Sequence, residues 1–235
     1  RRSNLRSGVP AVVLSPPSGC FGDRHRLRAW SIPFMLGGDR VRCRYRLVAT
    51  EARFVSGARF EELGIAGAYS VTWPVNSDSR GSLTKVFAGQ AFSERFARIE
   101  NREVFYTSST RGVLRGMHLQ HPSRQQWKIV SVLGGTVLDV LLDLRRDSAS
   151  FGESVSLKLR EGSGVAVVVP PGVAHGYLVE SESATTLYLV SSEYEADQEI
   201  GVHFDSFGFD WPEREPILSS RDEALPSLSA FAREG

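Results

Sequence analysis

The feature that most limits what this chain can fold into is a succession of short segments rich in β-branched and aromatic residues, separated by glycine and proline. They run from YSVTWPV (Tyr69–Val75) through EVFYTSST, GVLRGMHLQ (Gly112–Gln120), QWKIVSVL, TVLDVLLDL, SVSLKLR, GVAVVVP and GYLVES to TTLYLVSS. Such side chains fit a pleated, half-buried surface, and the glycine or proline between them marks a change of direction. Gly134-Gly135 lies between two segments as a hairpin turn requires, and Pro170-Pro171-Gly172 precedes another. Many short strands without long intervening helices imply an antiparallel sandwich or barrel. Helical patterns are confined to roughly 89–98, to 60–63 and to 227–232, just after Pro226. The expected fold is all-β: an antiparallel jelly-roll barrel or sandwich with a few short helices. Along each of its strands, residues facing a cavity alternate with residues facing away.

With 235 residues, 41% of them hydrophobic, the chain can bury a sizeable core in one main domain. A net charge of +1 gives no basis for general binding to nucleic acid or membrane. No apolar run approaches the roughly 20 residues that span a bilayer. Cys20 and Cys43 are the only cysteines, so neither a CxxC metal pair nor a disulfide framework is present, and a reducing cytoplasm fits best. The charge is unevenly placed: Arg1 to Thr50 holds ten arginines, two aspartates and no glutamate. This segment lacks strand or helix periodicity, which divides the chain into a basic, disordered extension over 1–58 and a folded domain over 59–235. A basic tail, read-through upstream sequence and a targeting peptide all fit the extension.

GVLRGMHLQ places one of only five histidines in a strand. On a regular strand His118 and Gln120 share a face while Arg115, three residues before His118, points the other way. A bulge at Gly116 would change that parity. Lys128 is expected opposite Trp127, and Asp139 and Asp143 on one side of the next strand. Taken alone, a strand histidine is more often a hydrogen-bonded core residue than a catalytic one.

GVLRGMHLQ, QWKIVSVLGGTVLDVLLDLR followed by FGE, VPPGVAHGYLV, LYLVSSEYEADQEIGVHFD, FGFDWP and ILSSRD resemble, in order and spacing, the dTDP-4-dehydrorhamnose 3,5-epimerase family of cupin-like sugar-nucleotide enzymes. The likeness runs from about Ala66 to Leu228. It implies a jelly-roll homodimer with an exchanged N-terminal arm, and an isomerase of deoxysugar and polysaccharide biosynthesis needing no cofactor and no metal. The implied substrate is a nucleotide-linked 4-keto-6-deoxyhexose, whose C4 carbonyl acidifies the hydrogens at C3 and C5. Inversion then requires a base, a proton donor on the opposite face and a group that supports the enolate. The resemblance assigns these roles to His118 as base, Asp222 as its carboxylate partner, Tyr188 as acid and Lys128 as the cation. It places Arg80, Arg115, Gln120, His175, Glu199 and Arg221 against the nucleotide sugar, and Tyr194 against the base.

Departures from the family pattern concern nucleotide recognition. After Arg80 the family has aromatic residues and then a glutamate, whereas this chain has Ser82, Leu83, Thr84 and Lys85. The family's Gln and Asn upstream of GVLRG fall at Glu103 and Phe105, and Leu189 stands where lysine is common. Two other readings stay open: epimerisation at a single carbon of another 4-keto sugar nucleotide, and a non-catalytic sugar-nucleotide-binding cupin. A metal-dependent cupin is disfavoured because Gln120 occupies the second place of the His-X-His pair it would need.

Overall fold

The computed structural model describes residues 53–55, 57–96 and 100–233. Nearly all of the basic extension expected over 1–58 lies outside them, as do both cysteines. The described strands begin with β1 (Arg53–Val55), β2 (Ala58–Glu62), β3 (Tyr69–Thr72), β4 (Val75–Asp78) and β5 (Gly81–Thr84), followed by helix α1 (Gly89–Arg95). Then come β6 (Glu103–Thr110), β7 (Leu114–Gln120), β8 (Lys128–Gly134), β9 (Thr136–Asp143), β10 (Ser154–Arg160), β11 (Val165–Val169), β12 (Val173–Val179) and β13 (Ser183–Val190). The chain closes with β14 (Glu199–Gly201) and two single-turn helices, α2 (Ser220–Glu223) and α3 (Leu228–Phe231).

These strands form a seven-stranded sheet ordered β1-β2-β3-β11-β8-β13-β6 and a five-stranded sheet ordered β10-β9-β12-β7-β14, with β4 and β5 as a separate hairpin. Every named pairing is antiparallel, and from β6 onward each step except β9 to β10 crosses from one sheet to the other, as in a jelly roll. The core lies between the sheets. Val130, Val167, Val169 and Val190 of the larger sheet pack with Val137, Leu141, Leu159, Val173 and Val179 of the smaller one.

Each sheet is also covered on its outer face. Phe92 and Phe96 of α1 and the residue after it pack on Phe60, Val71, Trp73, Ile129 and Val168, while Val202, Phe204 and Trp211 pack on Met117, Leu119, Val140, Leu142 and Leu178. Burial on both faces explains why β11 reads VAVVV and β12 is buried at every position instead of alternating. Each such aliphatic side chain contributes about 1.5–3 kcal/mol of burial free energy.

Four sequence-based expectations change. Residues 60–63, expected helical, belong mainly to β2, where Ala58 and Phe60 are buried with Arg59 exposed between them. The stretch has no serine N-cap such as Ser219 and Ser227 give the single-turn helices α2 and α3, whereas β1 and β3 offer it backbone partners on both edges. YSVTWPV is not one strand: it breaks at Trp73-Pro74 into β3 and β4. Gly134-Gly135 is not a hairpin turn, because β8 pairs with β11 and β13 while β9 pairs with β10 and β12. Gly135 instead carries the chain from one sheet to the other at φ 77°, where a Cβ would stand 2.0 Å from the Ser183 carbonyl oxygen. Finally, α1 stops at Arg95, three residues earlier than its pattern suggests, because Phe96 adopts an extended conformation.

Candidate active site

A cavity of about 280 Å³ opens between the sheets. That is near the lower limit of small-molecule sites, which span roughly 300–1,000 Å³. The five-stranded sheet contributes Arg115, His118 and Gln120 from β7, His175 from β12 and Glu199 from β14. The facing sheet contributes Glu103, Phe105 and Thr107 from β6, Lys128 from β8 and Tyr188 and Val190 from β13. Tyr194, Ser219, Arg221 and Asp222 come from the segments that follow β13 and β14.

Arg115 and His118 line the same cavity in spite of their odd separation. In the β7–β12 ladder His118 faces His175 while Arg115 faces Tyr177, so three steps on β7 match two on β12. This bulge sits at Gly116, where φ is 132° and a Cβ would lie 2.4 Å from the Gly176 Cα. Beyond it, Met117 and Leu119 point to the outer core while His118 and Gln120 turn inward.

Nε2 of His118 lies 2.6 Å from Oδ1 of Asp222. The carboxylate thus fixes Nε2 as the protonated nitrogen and leaves Nδ1, 3.9 Å from Oε1 of Glu199, to accept a proton. Asp222 sits in α2, whose N-cap Ser219 accepts the Asp222 backbone N–H at 3.1 Å. Burial pushes the Asp222 carboxyl upward, but its hydrogen bond with His118 and the charge there outweigh this, and its pKa falls below 3.8.

Across the cavity, Tyr188 is only 7% exposed, and its phenol is pushed well above pKa 10 by burial, then by Tyr177 and Asp139, with Arg115 opposing. It is therefore a reservoir for a proton at neutral pH. Its ring stacks on Phe105 with centroids 4.8 Å apart and planes 11° apart, and meets His175 edge-on at 5.9 Å. Nε2 of His175 is held by Oδ2 of the fully buried Asp139 at 2.8 Å. Lys128 reaches over to donate from Nζ to the His118 carbonyl oxygen at 3.2 Å. Burial lowers its pKa to about 8, with Glu199 pulling the other way, so it stays mainly cationic at pH 7.

At the mouth, Arg221 pairs with Glu199 and donates to the Tyr194 hydroxyl at 2.8 Å, while that hydroxyl donates to Glu199 at 3.3 Å. The 43%-exposed tyrosine ring is thereby braced. Gln120 is 5% exposed and its Oε1 has no hydrogen-bond partner among the described residues, so it can accept from a ligand. Of the residues singled out in the sequence, ten meet in this cavity. Arg80 does not: it sits exposed at the β4–β5 turn, paired with Asp78.

Sequence reading overlooked the supporting role of β6. Its inward positions each hold one group of the site: the Glu103 carboxylate accepts the Tyr194 backbone N–H at 2.8 Å, and Phe105 stacks on Tyr188. Further along, Thr107 lies 2.8 Å from the Tyr177 hydroxyl, and Ser109 accepts from Nε of Arg115 at 3.0 Å. The alternation in EVFYTSST carried this signal, since residues 103, 105, 107 and 109 share one face. Asp139 was placed on the right strand but given no partner.

The family model described as dTDP-4-dehydrorhamnose 3,5-epimerase matches residues 62–230. The chain is 36% identical over 177 residues to a dTDP-4-dehydrorhamnose 3,5-epimerase of Mycolicibacterium smegmatis, covering 74% of this chain and 88% of that one. Among solved structures, NovW, a 4-keto-6-deoxy sugar epimerase from Streptomyces spheroides, superposes with a TM-score of 0.72 at 33% identity, covering 78% of this chain and 94% of its own. ChmJ, a 3'-monoepimerase from Streptomyces bikiniensis in complex with dTDP-quinovose, does so with a TM-score of 0.70 at 34% identity, covering 73% and 88%.

Proposed function

We propose that this chain, which belongs to the dTDP-4-dehydrorhamnose 3,5-epimerase family, inverts C3, or C3 and C5, of a dTDP-linked 4-keto-6-deoxyhexose with His118 as base and Tyr188 as acid. The observation that carries the assignment is that the His118–Asp222 pair and the Tyr188 phenol project from facing sheets into one cavity. Removal of a proton from one face of a sugar and its return to the other requires that opposition.

Nδ1 of His118 takes the proton α to the C4 carbonyl, and Asp222 stabilises the resulting imidazolium. The electron pair moves into the carbonyl, giving an enolate whose oxygen is supported by the Lys128 ammonium. Tyr188 then protonates the same carbon from the other side. Its phenolate, eased by the Arg115 cation, is reprotonated from solvent while His118 gives up its proton. Nothing is oxidised or reduced. Arg115, His175, Glu199 and Arg221 hold the nucleotide sugar, Gln120 accepts from it, and Tyr194 offers its braced ring to the base.

A homodimer with an exchanged N-terminal arm is part of the same reading. Its supports are the exposed position of Arg80 on a protruding hairpin and the location of β6 at the end of its sheet with Val104 and Tyr106 exposed. No described helix is long and apolar enough to cross a membrane. A cytoplasmic setting is the further expectation, and the substrate's two phosphates, which bar passive passage through a bilayer, favour synthesis and use in one compartment.

The test is incubation of the purified protein with dTDP-4-keto-6-deoxyglucose in D2O containing EDTA, followed by NMR at C3 and C5. Deuterium incorporation with inverted configuration is expected. A protein that binds the sugar nucleotide without exchanging either hydrogen would be a binding cupin instead.

A further inference from the structure

Tyr188 is held by ring contacts of an unusually defined kind. Phe105 is its direct register partner across the β6–β13 ladder, and the two rings are nearly parallel, 11° apart at 4.8 Å. His175, fixed by Asp139, closes on its edge at 73° and 5.9 Å. A tyrosine hydroxyl lies on the ring axis, so rotation about χ2 leaves it in place and only χ1 swings it through space. A flat neighbour against the ring face restricts χ1, and a cross-strand aromatic pair gives such a contact without a polar bond to the reacting oxygen.

We propose that Phe105 is the positioning residue for the proton donor: its stack on Tyr188 fixes where the phenol delivers its proton, and so sets how often an enolate is protonated on the far face instead of the near one. The inference rests on Tyr188 being the acid. Phe105 itself touches no reacting atom in this scheme, and the His118 half-reaction on the facing sheet is independent of it. Losing the stack therefore lowers inversion more than enolate formation. The dry wall formed by the two rings also fits the upward push on the phenol, since burial is its largest cause.

The experiment compares wild type, Phe105→Leu, Phe105→Tyr and Tyr188→Phe on dTDP-4-keto-6-deoxyglucose in D2O. NMR scores deuterium entry and inversion separately, and KM is measured for each variant. In Phe105→Leu, compared at saturating substrate because the residue lines the cavity, the ratio of inversion to exchange is expected to fall about tenfold or more, since a misplacement of about 1 Å can cost 10²-fold. Phe105→Tyr keeps the flat ring and is expected to restore the wild-type ratio. An unchanged ratio in Phe105→Leu, including the case in which both rates fall together, overturns the proposal, as does failure of Phe105→Tyr to rescue it. If Phe105→Leu does not fold, Phe105→Met, flexible and apolar, is held to the same ratio. Unchanged inversion in Tyr188→Phe removes the acid assignment beneath the proposal, and a wild type that neither exchanges nor inverts removes the epimerase reading itself.

Discussion

Replacing Lys128 by methionine is expected to stabilise the protein at neutral pH while impairing it as a catalyst. Burial, partly offset by Glu199, lowers the lysine pKa from 10.5 to about 8. Wherever both folded and unfolded chains are protonated, that difference costs stability: 2.5 pH units at 1.36 kcal/mol each is about 3 kcal/mol. Methionine keeps an aliphatic stem and gives up the 3.2 Å hydrogen bond to the His118 carbonyl, worth about 1 kcal/mol. The net gain at pH 7 is therefore about 2 kcal/mol. Between pH 8 and 10.5 the unfolded chain binds the proton and the folded one releases it, so wild type gains stability as pH rises and the variant's advantage shrinks to near zero by about pH 9.5. Urea unfolding of both proteins at one concentration, at pH 7 and pH 9.5, isolates this lysine because the other titrations cancel in the difference. A variant less stable than wild type at pH 7, or a difference that does not change with pH, would refute the reasoning. Turnover is expected to fall at least 10²-fold, in keeping with loss of a charge aimed at the enolate.

His118→Ala is expected to abolish deuterium entry and inversion together, whereas Tyr188→Phe should retain exchange and lose inversion by about 10²–10⁴-fold, a split that NMR in D2O reads directly. Asp222→Asn should leave binding of dTDP intact by calorimetry and slow exchange and inversion alike, because it removes only the charge that supports the imidazolium. Asp143, fully buried, is raised by burial but held down to about pKa 2 by Arg145, Ser148 and Ser150. Its contribution is present above the unfolded value of 3.8 and lost as pH falls toward 2, so Asp143→Asn should be less stable than wild type to urea by about 2 kcal/mol at pH 7, with the gap closing on acidification. Deleting residues 1–50, which keeps β1, should leave melting temperature and turnover unchanged, and a loss of either would show that the basic segment belongs to the working protein.

Much of the fold was legible because local chemistry dictated it. EVFYTSST, SVSLKLR and TTLYLVSS carry their period and their turn residues in the chain itself, and each became a strand close to its expected bounds. An ordered set of motifs also singled out His118, Tyr188 and Asp222, and the structure brings these three into one cavity. What local pattern could not supply was which strand lies beside which. Gly134-Gly135 looks like a hairpin in one dimension, and only the pairing of β8 with β11 and β13 shows that it is a corner between sheets.

Face assignment failed for the same reason at Arg115. Parity along a strand is a local rule, but the bulge at Gly116 exists because β7 must register against β12, a strand some sixty residues away that supplies the tight approach at Gly176. The sequence by itself supplied the candidate groups of the site: two imidazoles, two carboxylates, two phenols, a glutamine, a lysine and three arginines. The tertiary structure decided which of these meet. It brought ten of them into one cavity, left Arg80 on an exposed hairpin and recruited Asp139 and the inward face of β6 to hold the others still. Residue type is fixed by the chain, whereas proton transfer depends on distances between side chains far apart along it, and those are set only when two sheets pack.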